Sequence, residues 1–189
     1  MSNQPPLYAT PIIDRRYCTE RQPIDLIITK ERSVRDKFII KDMNNNVIFT
    51  VKSSLQTIIT PRQHRFLFDA NGNLILHLRG SLQDGSWKAF RGGSSEANDL
   101  IFIRKRSSFI PLNTKLNVFL ANNTTGISDF TIKKTFLGES WDVSIGQSDN
   151  VVAQIDKKLR IMFEREKFMV TVLPNIDYAF IVALVMTLD

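Results

Sequence analysis

The sequence predicts a mainly β domain of about twelve strands, closed into a barrel around a central hydrophobic C-terminal helix. Three observations carry that expectation. Residues 179–186 read Ala-Phe-Ile-Val-Ala-Leu-Val-Met, apolar on every face of a helix, so the segment must be surrounded on all sides. The chain before it reads almost throughout as short apolar runs between turn residues, more of them than an open twisted sheet carries without curling. As a helix, residues 176–188 would rise about 20 Å, short of the ~30 Å hydrocarbon core of a bilayer. No transmembrane segment is therefore expected. Closure of the sheet removes its exposed edges and leaves an interior to be filled.

Taken in order, residues 1–22 are polar, proline-containing and without periodicity, which predicts a flexible N-terminal lead; residues 23–189 form a single domain. Its first strand is expected over residues 24–28. Residues 38–40 and 47–51 flank Asp42-Met43-Asn44-Asn45-Asn46, and asparagine tolerates the left-handed backbone that such a turn needs. The device recurs at once: residues 65–68 and 74–78 flank Asp69-Ala70-Asn71-Gly72-Asn73, where Asn71-Gly72 is the strongest hairpin signal in the chain. The repetition hints at an internal duplication. Further strands are expected over 87–90, 100–103, 115–120, 130–136, 141–145, 151–155, 159–163 and 168–173.

Composition narrows the class. A chain of 189 residues, 43% hydrophobic and 23% charged, is globular and large enough to build a core without staples. Phe dominates the aromatics (13, against 3 Tyr and 2 Trp), which suits a wide β core. A single cysteine, Cys18, excludes an intramolecular disulfide framework and a cysteine-rich zinc site. The first residues carry no secretory signal pattern, and Ser2 stands where N-myristoylation requires glycine. A cytoplasmic protein is expected, peripheral at the plasma membrane or nuclear. The formal net charge of +6 favours anionic partners, nucleic acid or inner-leaflet lipid.

Catalytic signatures are missing. HExxH, GxSxG and Walker-type loops are absent, so no catalytic residue, metal ligand or cofactor is assigned, and the protein is expected not to be an enzyme. His64 stands beside Arg62 and Arg65 and reads as part of a basic surface; His77 alternates with Leu76 and Leu78 and is expected to face solvent or a polar rim. Arg91-Gly92-Gly93-Ser94-Ser95 lacks a following helix, so it reads as a tight turn and not a phosphate loop. Asp69, Asn71 and Asn73 imitate the start of a calcium loop, but the terminal Glu is missing. The basic clusters are the candidate anion- or lipid-binding residues: Arg104 and Arg106, Lys133 and Lys134, and Lys157, Lys158 and Arg160. On a strand, Arg104 and Arg106 share one face, and that face is expected to point outward.

Specific stretches say more than periodicity. Trp87-Lys88-Ala89-Phe90-Arg91-Gly92-Gly93-Ser94-Ser95, Asp99-Leu100-Ile101-Phe102 and Arg104-Lys105-Arg106-Ser107-Ser108 resemble the LURP-one-related family of plants. So do Thr114-Lys115-Leu116-Asn117-Val118-Phe119-Leu120, Val152-Ala153-Gln154-Ile155 and Pro174-Asn175-Ile176-Asp177-Tyr178-Ala179-Phe180-Ile181. The likeness runs from about Tyr17 to Asp189. It implies the tubby C-terminal and phospholipid-scramblase architecture, a twelve-stranded barrel around a hydrophobic helix. It further implies a non-catalytic binding or regulatory protein, linked to plant basal defence, with phosphoinositide or other anionic phospholipid headgroups as partners. The alternative is a soluble scaffold whose partner is another protein or nucleic acid. Nothing resembles a sequence-specific nucleic-acid reader, so that partner is the less favoured.

Overall fold

Alternation writes the barrel wall. In β1 (Ile24–Glu31) Leu26 and Ile28 are buried while Ile27 between them is not, because successive side chains of a strand point to opposite faces. The same pattern recurs in β2 (Lys37–Asp42) and β3 (Val47–Gln56), while β4 (Arg62–Asp69), β5 (Leu74–Ser81), β6 (Trp87–Arg91) and β7 (Leu100–Arg106) also bury residues of the outer face. Alternation returns in β8 (Lys115–Leu120) and β12 (Lys167–Val172), and β9 (Phe130–Lys134), β10 (Ser140–Ile145) and β11 (Val151–Lys158) complete the wall. The structure, a computed structural model, describes residues 11–31, 37–56, 62–107, 115–135, 140–158 and 167–188. The strand expected over 159–163 lies outside the described residues.

All twelve strands pair antiparallel with their chain neighbours, and β12 returns to β1, with Ile24 opposite Val172 and Thr29 opposite Lys167. The sheet is thus a closed barrel. Bulges in the β2–β3 pair at Ile40/Lys41 and in the β4–β5 pair at Leu67/Phe68 precede two hairpins built alike. In the first, Asp42 Oδ1 accepts from the backbone N–H of Asn44 and of Asn46, and Oδ2 from the Asn46 amide. In the second, Asp69 accepts from Asn71 and Asn73 in the same three ways. Asn45 (φ 70°) and Gly72 (φ 84°) supply the left-handed residue in each. These carboxylates are therefore turn locks.

The lumen holds α1 (Tyr178–Val185), whose residues from Ala179 onward are all buried. Phe180 meets Phe102 of β7 at 5.4 Å and Phe130 of β9 at 5.0 Å, while Tyr178 meets Phe49 of β3 at 5.8 Å between ring centroids. Contacts to strands from different sides of the wall place the helix inside the barrel. Full burial of a side chain such as Phe180 stabilises by roughly 1.5–3 kcal/mol. The helix is shorter than residues 176–188. Asp177 caps its start by accepting from Phe180 N–H, and Thr187 and Leu188 N–H bond back to Leu184 and Val185 carbonyls, tightening the last turn.

The lead also departs from expectation within residues 11–22. A short 3-10 turn, Arg15–Tyr17, presents Tyr17 against Phe49 and Tyr178, and Ile13 is buried in the same core. Cys18 bridges to Asp177, and Asn175 N–H donates to the Thr19 carbonyl at 2.7 Å. This stretch has no periodicity for a sequence reading to detect, because it is ordered by contacts with the far end of the chain.

Candidate functional site

An antiparallel barrel sorts side chains by end. At one end lie Lys37, Arg106, Lys115, Lys134, Lys158 and Lys167, which are first or last residues of their strands. Register places Lys115 directly opposite Lys133, Lys158 opposite Lys167 and Lys37 opposite Lys52. At the other end lie Asp42, Asp69, Asp99, Asp129 and Asp149, in hairpin turns or at strand junctions. Glu31, Asp84, Asp142 and Asp156 toward the first end, and Arg15, Arg16, Lys41 and Arg91 at the second, run against the trend. Glu31 is paired with Lys37 at 3.1 Å. Like charges opposed across a ladder repel, and carboxylates relieve two of these pairs, Glu31 at Lys37 and Asp149 at Lys133.

Two guanidinium groups inside that end serve the helix. Arg104 is only 4% exposed; its Nε donates to Thr187 Oγ1 at 3.2 Å, its Nη2 to the Thr187 carbonyl and its Nη1 to the Gly85 carbonyl at 2.7 Å. Arg65, also buried, donates to the Met186 carbonyl and lies 4.9 Å from the Trp87 ring centroid. The last carbonyls of a helix lack intrahelical donors and carry its negative dipole end, so buried cations satisfy both needs at once. This corrects the expectation for Arg104: it points into the lumen. Both faces of β7 are apolar, with Ile101 buried on the outer side and Phe102 on the inner, so alternation alone could not choose.

Arg106, two residues on, leaves the lumen and lines a cleft of 540 Å³ at the mouth, between the β5–β6 hairpin and β7. Gln63, Ser81, Gly85, Lys105 and Ser107 line it too. The hairpin is held rigidly. Asp84 Oδ1 accepts from both Ser86 N–H (2.9 Å) and Ser86 Oγ–H (2.7 Å), and Ser81 N–H donates to the Ser86 carbonyl at 2.8 Å. The Ser86 backbone N–H, then the Ser86 and Ser81 hydroxyls, hold the Asp84 carboxyl down to about 2. Gly85 takes a positive φ of 64°, and the Arg106 side chain packs against it. Gly80 lies against the Trp87 indole, where a Cβ would fall 2.8 Å from the ring. Across the hairpin a second cleft of 390 Å³ carries Arg79 and Lys88, which are opposed in register.

The remaining predicted residues are dispersed. Lys133 lies on the outer wall, 3.5 Å from Asp149, and Lys134 stands at the rim with its Nζ 5.7 Å from the Trp141 centroid. Two strand spacings and two residues of stagger separate Arg106 from Lys134, about 12 Å. Lys157 and Lys158 close β11 at the same end. Arg160 and residues 136–139 lie outside the described residues. Sequence reading placed none of Arg65, Lys105, Lys115 and the 81–87 hairpin among its candidates. Arg65 shares the inward parity of Leu67, which was the available signal.

Neither histidine faces solvent, contrary to expectation. On the outer wall His64 Nδ1 lies 2.7 Å from His77 Nε2, and His77 Nδ1 lies 3.0 Å from the Ser94 carbonyl oxygen. A carbonyl only accepts, so His77 carries its proton on Nδ1 and takes a hydrogen bond from His64 Nδ1–H at Nε2. Phe66 stacks on His77 at 4.6 Å, and the 91–99 connection covers the pair through Ser94. Burial lowers the His77 pKa, aided by the Arg79 charge and opposed by the Ser94 bond.

Among the described residues, no group of three or more His, Cys, Asp or Glu is placed to hold a metal ion, and no helix is long and apolar enough to cross a membrane. A family model described as LURP-one-related matches residues 24–189, from the first residue of β1 onward. The chain belongs to the LURP-one-related family. Protein LURP-one-related 15 of Arabidopsis thaliana is 39% identical over 186 residues, covering 94% of this chain and 84% of that protein. Protein LURP-one-related 10 is 39% identical over 188 residues, with 94% of each covered. Protein LURP1, from the same plant, is 37% identical over 185 residues, covering 94% and 87%. An X-ray structure of an Arabidopsis thaliana protein, 36% identical, superposes with a TM-score of 0.72 over 94% of this chain and 96% of that one. In this LURP-one-related barrel the motifs that carry the resemblance have physical roles. Residues 87 and 104–107 line the mouth cleft, and residues 174–181 cap and begin the enclosed helix.

Proposed function

We propose that the chain is a non-enzymatic binding module that docks the basic end of its barrel onto an anionic membrane surface, phosphoinositide or other anionic lipid headgroups. The family resemblance makes a plant defence pathway the setting. One observation carries the reading: antiparallel register gathers cations at one end while aspartates collect at the other. The docking surface differs from the outward-facing Arg104/Arg106 patch expected from sequence, since Arg104 is committed to the helix. Lys105, Arg106, Lys115 and Lys134 take its place. Each cation near an anionic leaflet contributes about 1 kcal/mol, so four give reversible recruitment that weakens as salt rises.

Co-sedimentation of the full chain with phosphatidylcholine vesicles, with and without phosphatidylserine as one lipid in five, tests this. Binding that requires the anionic lipid, and that falls about a hundredfold or more in a Lys105→Ala/Arg106→Ala/Lys134→Ala variant, supports it. Equal partition onto neutral and anionic vesicles, or no partition, refutes it.

A further inference from the structure

Large apolar side chains exposed singly are ordinary on any protein surface; their placement is what distinguishes them. Among the described residues, Met43, Val47, Leu74, Ile127 and Leu173 are such side chains, and all lie toward the acidic end of the barrel. Among the described residues Leu82, 54% exposed, is the one at the basic end. It begins the β5–β6 hairpin tip and borders the mouth cleft beside Lys105 and Arg106, with Arg79 and Lys88 in the cleft behind the hairpin. Among the described residues the one carboxylate lining either cleft is Asp84, turned to the Ser86 N–H and hydroxyl. The tip is held by the Asp84 clasp and by Arg104, which grips the Gly85 carbonyl, so little freedom is lost when it binds.

We infer that Leu82 is a membrane-inserting residue of this protein: it enters the acyl boundary of an anionic leaflet while the flanking cations hold the surrounding phosphates. The inference rests on the membrane reading above and sharpens it. Cations alone do not separate a bilayer from a dissolved polyphosphate; an exposed leucine in their midst gains only from a bilayer. Removing it should cost about tenfold or more in partition, from the transfer of the three carbons that leucine carries beyond alanine.

The test compares the full-length parent with Leu82→Ala, Leu82→Trp and the Lys105→Ala/Arg106→Ala/Lys134→Ala variant. Each is measured on phosphatidylcholine vesicles containing phosphatidylserine, and by calorimetry against soluble inositol hexakisphosphate. Leu82→Ala is expected to lose about tenfold or more on vesicles with its hexakisphosphate affinity unchanged, while the charge variant loses on both. Leu82→Trp should bind vesicles at least as well as the parent and be quenched by brominated acyl chains beyond the parent's own tryptophans. Parent-like vesicle binding by Leu82→Ala, or no added quenching of Leu82→Trp, overturns the role of Leu82 and leaves headgroup docking standing. Failure of the parent itself to bind vesicles removes both. Equal loss by Leu82→Ala on hexakisphosphate would mark a distorted cleft instead of insertion and would also overturn it. An unchanged melting temperature shows that each variant is folded.

Discussion

Replacing Asp177 with alanine should strip the enclosed helix of its anchor and loosen the N-terminal segment in one step. The carboxylate accepts from Ile13 N–H at 2.7 Å and Asp14 N–H at 3.0 Å through Oδ2, and from Phe180 N–H at 3.1 Å through Oδ1. Loss of the helix cap costs about 1 kcal/mol. The Ile13 and Asp14 donors, left without an acceptor, cost about 1–3 kcal/mol together once partial access to water is allowed for. A total of roughly 2–4 kcal/mol is a large share of the 5–15 kcal/mol that holds a typical domain together. Asp177→Asn separates the parts: its amide oxygen can still cap Phe180, but its NH2 group confronts two N–H donors. It should recover about 1 kcal/mol of the alanine loss and no more. Urea unfolding followed by tryptophan fluorescence measures both variants, and limited proteolysis reports release of residues 11–22. An alanine variant within 0.5 kcal/mol of the parent (roughly the scatter of an ordinary surface substitution), with residues 11–22 still protected, would refute the reasoning.

The two mouth arginines should behave oppositely. Arg104→Ala deprives the Thr187 and Gly85 carbonyls of their donors and should destabilise by roughly 3 kcal/mol in urea unfolding. Arg106→Ala should leave the unfolding curve unchanged and weaken anionic-vesicle binding several-fold; matched losses of stability would deny the division. Acid should weaken the fold through His77. Its folded pKa lies below the ordinary value near 6.5, so its full contribution is present above that pH and is lost as pH falls through it toward the lower folded value. His77→Phe, which keeps the stack on Phe66, should be less stable than the parent at neutral pH and should flatten the decline below about pH 6.5. Parallel stability–pH curves would rule His77 out as the source.

Much of the fold was legible because it rests on local signals. Asp42 and Asp69 each begin the same five-residue turn pattern, and the run from Ala179 to Met186 is apolar all round, so hairpins and an enclosed helix follow from short windows of sequence. What escaped depends on partners distant in the chain. Arg104 resembles its neighbours Lys105 and Arg106 in every respect until Thr187, 83 residues away, claims its guanidinium. His77 looks like a solvent-facing residue until His64, Phe66 and Ser94 cover it. Ile13 and Tyr17 lie in a stretch without periodicity and are ordered by Asp177 and Tyr178. The candidate site was half legible for the same reason: sequence singled out Arg106 and Lys134 but not Lys105 or Lys115, and only the register of the barrel tells which cations share a rim.

The seam between β1 and β12, with the helix following it in chain order, bears on how the protein is made. A ribosome delivers the wall first and its filling last. Until residues 167–172 have emerged, β1 is paired with β2 alone, and the nascent sheet presents two open edges around a greasy, vacant groove. Pairings across more than a hundred residues form slowly, and such edges invite aggregation while they wait. Chaperone occupancy should therefore peak late in synthesis, and a stop codon just upstream of Asp177 should yield insoluble product instead of a weakened barrel.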